Sequence, residues 1–269
     1  MVDADFGAHR TGWPAVTMSV AAHLLTATIW WAVLGGHLPT PAGTIAMMVP
    51  GYIAFTPLHE ACHGNIGGSR ERAWMDVAFG WSSAAILLAP LALFRAAHLR
   101  HHGNVNHDRR DPDHWVARFR GVWTPVGCLT FLPRYYWNFF VGAVPGAHQS
   151  AERRKSWAGV AAFVTFSAVM TWLGLGWAVL TLWVLPAILT GGVLAFLFAW
   201  LPHHPFGDRR RWTNAWLYDV AGLGVPMMGH NLHLIHHLWP RIPFHRYGDV
   251  FRERRAELDE HGARVWSRR

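Results

Sequence analysis

Two stretches of this chain carry no charged side chain. Residues 11–58 and 156–206, 48 and 51 residues long, contain no Lys, Arg, Asp or Glu. About 20 apolar residues, at 1.5 Å rise each, cross the hydrocarbon of a bilayer, so each stretch accommodates a helical hairpin. Glycines and prolines place the turns. "GGHLPTPAG" divides the first stretch into helices over 14–35 and 42–58, and "GLGW" divides the second into helices over about 157–174 and 178–201. Composition agrees, because only 15% of residues are charged, against about 25% in soluble domains. The expected fold class is an all-α integral membrane protein with four transmembrane helices in two hairpins, interfacial helices and a cytoplasmic cap. No repeat or low-complexity linker divides the chain, so one membrane-embedded domain over 1–269 is expected.

The 24 basic residues all lie outside the hairpins, with groups at Arg70 and Arg72, from Arg95 to Arg110, from Arg153 to Lys155, from Arg209 to Arg211, and in the C-terminal tail. The positive-inside rule then puts both termini and every long loop in the cytoplasm. The same residues account for the net charge of +8 through topology and anionic lipid headgroups, so no nucleic-acid partner is expected. The N-terminus lacks the basic start and the cleavage site of a signal peptide, and its first helix is expected to stay. Cys62 and Cys128 have no CxxC spacing and imply no disulfide framework.

Against this greasy background stand 19 histidines. The close groups are "HEACH" at 59–63, "HLRHH" at 98–102 and "HLIHH" at 233–237, each at an expected membrane edge. His59 and His63 are four apart and share a helical face. In the other two groups the first and second His are three apart, and the third points about 100° away, so one group can serve two neighbouring ions. Alone, His59 and His63 read most simply as a packing or surface pair, and "HLRHH" reads equally well as a basic interfacial patch. Three such groups in one chain read as a polyhistidine metal centre, because imidazoles at a membrane edge are costly unless bonded or ligated.

HxxxH, HxxHH and HxxHH, in this order around two hairpins, resemble the three histidine boxes of the membrane fatty acid desaturase and hydroxylase superfamily. The likeness runs over roughly 42–245 and includes "DPDHW" at 111–115, Asn231 two before His233, and Leu238 to Pro240 after the last pair. It implies two iron ions cycling between Fe2+ and Fe3+, held by His59, His63, His98, His101, His102, His233, His236 and His237, with molecular oxygen as co-substrate. A ninth ligand is expected after the last hairpin, in "WLPHHPF". His203 resembles the Pro-His element of the carotenoid-modifying branch and is preferred, while His204 matches the acyl-desaturase spacing and stays open. Glu60, Asp111, Asp113 and Asn231 are expected behind the ligands as hydrogen-bond partners, although "RRDPDHW" reads equally as a helix-capping turn. His230 and His107 are weaker candidates, and His9, His23, His37, His148 and His261 have no expected catalytic role.

No CxxCxxC, GxGxxG or haem motif is present, so electrons must come from an external donor such as a ferredoxin or small haem protein. The arginines at 95–110 and 209–211 are a docking surface for it or simply solvated loops. The resemblance implies O2-dependent desaturation or hydroxylation of unactivated C–H bonds in a lipid, first a fatty acyl lipid and alternatively a carotenoid, by a hydroxylase or ketolase. A non-enzymatic membrane metal binder is the third reading, disfavoured because the histidines sit at one membrane face. Topology adds a condition: three boxes share a site only if an even number of spans separates them. The single apolar run at 77–94, with Pro90 inside, must therefore lie along the interface, as is also expected of 121–144.

Overall fold

The computed structural model describes Phe6 and residues 10–141 and 147–268. His9 and the end of the 121–144 run lie outside the described residues, as does the side chain of His148. The chain is mostly helical. Helix α1 (Trp13–Leu34) is followed by α2 (Thr40–Ala46), α3 (Met48–His63), α4 (Ala73–Ile86) and α5 (Leu91–Gly103). After two short 3-10 turns come α6 (Thr124–Leu129), α7 (Phe131–Phe140), α8 (Ala147–Trp172) and α9 (Gly176–Trp200), the last containing two π-helical stretches at 180–184 and 195–200.

Helix α1 is about 33 Å long at 1.5 Å per residue, enough to cross a bilayer, and only 17% of its most apolar window is buried. Leu24 and Trp31 are 64% and 65% exposed, which is stable against lipid and costly against water. Trp172 and Trp177, at the α8–α9 turn, are also exposed, as expected of indoles at a membrane interface. Among the described residues two helices are long and apolar enough to span alone, Trp13–Leu34 and Gly176–Trp200, and counting the bent pair α4–α5 as one span raises the number to three. The expected four-helix count is not recovered by length and composition. Helix α3 has 16 residues and ends in Glu60 and two histidines, and the first turns of α8 carry Glu152, Arg153, Arg154 and Lys155.

The run at 77–94 is bent. Helices α4 and α5 meet at 99° across the break from Leu87 to Pro90, where Leu88 has φ of 52°. This turn brings the chain back to where it left: His98 Nε2 on α5 lies 2.8 Å from His63 Nε2 at the end of α3. Several contacts fix the return. Gly64, at φ 75°, ends α3 in a left-handed cap whose N–H donates to the Glu60 carbonyl. Asp76 accepts from the Ile66 and Gly67 amides at 2.9 and 3.2 Å. Arg95 donates to the Ala61 carbonyl at 2.8 Å, filling one of the acceptors that a helix end leaves open.

The C-terminal third forms the cap. Strand β1 (Trp216–Val220) pairs in parallel with β2 (Arg264–Arg268), with Trp216 opposite Arg264. The helix-only expectation did not include this two-stranded sheet. Between the strands lie α10 (His233–Leu238), α11 (Tyr247–Glu253) and α12 (Arg255–Glu260). Leu234, Ile235, Ile242, Tyr247, Val250 and Leu258 are completely buried there, so an apolar layer backs the third histidine group.

Helices α3 and α4 pack closely because Gly80 has no side chain. A Cβ at Gly80 would stand 2.7 Å from Ala61 Cβ and 2.9 Å from Leu91 Cδ2. Gly80→Val is therefore expected to cost about 1–3 kcal/mol through overpacking and to lower bound metal by pushing α5 off α3. Thermal unfolding and metal analysis of the purified variant check this; wild-type values for both would refute it.

Candidate metal centre

Four elements deliver imidazoles to one place. The end of α3 supplies His59 and His63; α5 supplies His98, His101 and His102; the turn after α9 supplies His203; and α10 supplies His233, His236 and His237. Their Nε2 atoms converge. His59 stands 3.0 Å from His236, His102 stands 2.8 Å from His236 and 3.1 Å from His98, His101 stands 3.3 Å from His237, and His233 stands 3.1 Å from His203. Ring nitrogens of His59, His63, His98 and His236 form one compact group, and those of His101, His203, His233 and His237 form a second.

Four rings have a polar partner on the far side, at Nδ1. His101 Nδ1 donates to Asp111 Oδ1 at 2.8 Å, His203 Nδ1 donates to the Asn214 carbonyl at 3.0 Å, and His59 Nδ1 faces Glu60 Oε1 at 3.3 Å. His236 Nδ1 faces the Tyr247 hydroxyl at 2.9 Å. A neutral imidazole that donates through Nδ1 presents a bare lone pair at Nε2. Bare lone pairs about 3 Å apart repel unless a cation lies among them. Two nitrogens bound at about 2.1 Å and at right angles to each other stand about 3.0 Å apart, so the observed separations suit ligands of a shared ion. Burial, and then the neighbouring imidazoles, hold His233, His236 and His237 well below the usual histidine range, which keeps them neutral and able to ligate.

The acidic residues stand behind this layer. Asp111 Oδ1 also accepts from the Asp113 amide at 2.9 Å, and Asp111 Oδ2 accepts from the Asn106 amide at 2.8 Å. One carboxylate, Asp111, thus both caps the turn and faces His101. Asp113 lies 3.7 Å from His101 Nδ1, accepts from the Tyr135 hydroxyl, and burial pushes its carboxyl up to about 6. Glu60 Oε2 accepts from the Phe244 amide at 3.1 Å and from Asn65 Nδ2 at 3.3 Å, tying α3 to the cap.

Other sequence candidates fall outside the two groups of ring nitrogens. Asn231 donates to the Tyr218 carbonyl at 2.9 Å and so holds β1. His107 pairs with Asp108 at 3.0 Å near the surface. His204 is exposed and stacks on Trp200 with ring centroids 4.5 Å apart, while its neighbour His203 is buried in the second group. His230 is buried 4.9 Å from His59, centroid to centroid, with Nε2 3.4 Å from Thr56 Oγ1. Tyr247, Tyr135 and Asn214 were not foreseen. The first two sit in no motif, and Asn214 contributes only a backbone carbonyl, which side-chain reading cannot reveal.

An apolar cavity opens on the imidazoles. Phe55, Phe94, Leu132 and Phe198 line it together with His59, His98, His101 and His233. Comparison with known proteins fits this arrangement: the sequence profile named Fatty acid desaturase matches residues 29–269. The chain belongs to that family. Among curated members and relatives, it is 26% identical to a beta-carotene ketolase of a Paracoccus species over 208 residues, 71% of each chain. A beta-carotene ketolase from a second Paracoccus strain is 26% identical over 205 residues, again 71% of each. An endoplasmic reticulum omega-3 fatty acid desaturase of Vigna radiata is 22% identical over 237 residues, 76% of this chain and 61% of the relative. In this desaturase-family chain the three histidine groups that resemble the family's boxes are the ones that meet in space.

If Asp111 orients His101 toward a metal, Asp111→Ala is expected to weaken iron binding by about 10–100-fold, read as iron retained against a chelator. A role limited to capping would instead lower stability by about 1 kcal/mol and leave iron retention unchanged.

Proposed function

We propose that the protein is a membrane di-iron oxidoreductase that uses O2 and two external electrons to oxidise unactivated C–H bonds of a lipid, within a single membrane-embedded domain. The observation that carries this is the pairing of two compact histidine groups, each with its Nε2 lone pairs turned inward. His59, His63, His98, His102 and His236 would hold one iron; His101, His203, His233 and His237 would hold the other. Bound there, the irons supply the reduction of O2 that makes an unactivated C–H bond reactive, and all-imidazole coordination with open positions suits that task.

The chain's own residues do the rest. Glu60, Asp111, Tyr247 and the Asn214 carbonyl fix the rings from behind, so that Nε2 and not Nδ1 faces inward. Phe55, Phe94 and Phe198 give the cavity an apolar wall that takes a hydrocarbon and excludes water from the histidines. Asp113, held by Tyr135, is the carboxyl group at that wall, placed to keep a polar group beside an otherwise greasy site. Electrons are supplied by an external carrier such as a ferredoxin or small haem protein.

For the substrate we infer a carotenoid, oxidised at a ring carbon to an alcohol in one turnover or, in two, to a gem-diol that loses water to give the ketone, each turnover using one O2, two external electrons and two protons and releasing one water. The two ketolase relatives and the inclusion of His203, not His204, in the histidine group support that branch. A fatty acyl lipid is the second reading, supported by the desaturase relative. Expression in a host that makes beta-carotene separates them. Oxygenated carotenoids are expected with the wild type and none with His236→Ala; new double bonds in membrane acyl chains would establish the second reading. Neither product from iron-loaded protein with a working electron donor would remove the proposed function.

We further propose that both termini and the histidine cap face the cytoplasm, with four crossings. The return of α5 to the end of α3 supports it, since a segment whose ends meet makes no net crossing. Reporter tags at the termini and at 207–212 should then read cytoplasmic and one at 37–41 should read the opposite face; a cytoplasmic signal at 37–41 would defeat the arrangement.

A further inference from the structure

Two apolar spaces in this protein are separated by a wall one side chain thick. The inner one is the cavity that touches the histidines. The outer one is an open groove between α7, α8 and α9, lined by Pro133, Val160, Phe163, Ser167 and Ile188 among others. Leu132 lines both. Around it, three elements each show one residue to either side. Leu87 faces the inner space and Leu88 the groove; Tyr135 faces inward and Tyr136 outward; Gly191 faces inward and Ile188, on the same helix, outward.

The frame of this wall is tied and its centre is not. The Tyr136 hydroxyl donates to the Leu88 carbonyl at 2.5 Å, and Trp183 Nε1 donates to the Ala85 carbonyl at 2.7 Å. Leu132 makes only apolar contacts of the kind that a rotamer change renews at low cost. Gly191 leaves room behind it, since a Cβ at Gly191 would meet only Leu132 Cβ, 3.8 Å away. The groove lies on the lipid-facing surface: Val164 and Trp172, both on its lining, are 62% and 84% exposed. Among the described residues no charged side chain lines it, so it offers no ionic partner to a headgroup and suits a hydrocarbon.

We propose that the groove is a lateral entry site, through which a long linear apolar chain passes from the bilayer over α8 and past Leu132 into the inner cavity. Naming that chain as the substrate rests on the function proposed above. Continuity argues for this occupant over a second protein. The groove shares a wall residue with the space at the histidines, and a hydrocarbon moving along it stays in an apolar environment throughout, so desolvation adds no barrier. Leu132 then acts as a gate and as a positioning residue, setting how far a chain reaches toward the metals.

Photolabelling tests this without turnover. Full-length metal-loaded protein in phosphatidylcholine nanodiscs is labelled with an 18-carbon fatty acid bearing a diazirine near its methyl end, and adducts are mapped by mass spectrometry. The wild type should be labelled both on α8 around Phe163 and on inner residues such as Phe55 and Phe198. Leu132→Trp should lose the inner adducts and keep the outer ones and its metal, whereas Leu132→Ala should gain inner adducts. Ser167→Trp, on the lipid-facing side where folding is little affected, should lower both sets, and it decides the matter if Leu132→Trp fails to retain metal. Inner adducts that persist in Leu132→Trp with metal bound, or that are unchanged in Ser167→Trp, would overturn the route. Outer adducts alone in the wild type would mean an ordinary boundary lipid and would overturn it equally. Protein that labels as expected but oxidises neither carotenoids nor acyl lipids would keep the entry site and lose the proposed activity.

Discussion

Repulsion among imidazole lone pairs is the constraint on which the rest of this architecture depends. Ring nitrogens meet across about 3 Å; wherever a neutral ring donates through Nδ1 its unshared pair faces its neighbours, and burial removes the water that would otherwise relieve the crowding. Such an arrangement is held against its own electrostatics by everything around it. The Asp76 and Arg95 contacts hold the α3–α5 return, the Glu60 link to Phe244 holds α3 to the cap, and the apolar layer of Leu234, Ile235 and Tyr247 backs α10. A cation of suitable size would convert the same repulsion into ligation.

Much of the centre was legible because helical spacing is a local property. His59 with His63, and His98 with His101, lie on shared faces by the 3.6-residue period alone, and parity of crossings required the 77–94 run to come back. The bend at Leu87 to Pro90 is the physical form of that return. The choice between His203 and His204 rested on resemblance until the structure placed one ring inward and the other against Trp200. What stayed hidden was tertiary or carried by backbone: the Tyr247 hydroxyl, the Asn214 carbonyl and the pairing of β1 with β2 leave no periodic trace. The span count was the weakest part, since α3 and α8 mix apolar turns with Glu60 and with the charged group at 152–155. The same helices serve both bilayer and cap, and composition averages over the two roles.

Helix α9 is interrupted by two π-helical stretches. Each widens the helix locally and offsets the side chains that follow. The second stretch, at 195–200, sits where α9 passes the inner cavity, and Ala195, Phe198 and Ala199 line that cavity. Small residues beside one large ring give a wall with a recess, and the chain then turns at once into His203. A regular α-helix of the same length would present a different face to the cavity and deliver His203 from another angle.

The placement of α10 within the chain also sets a timetable. His203, His233, His236 and His237 all lie in the last 67 residues, and Tyr247, which faces His236, comes later still. During synthesis the membrane helices and the first two histidine groups therefore emerge and settle before any complete ligand set exists. Both groups are complete only once the segment carrying α10 has folded back against α3 and α5. The membrane helices can thus take their places before either histidine group closes.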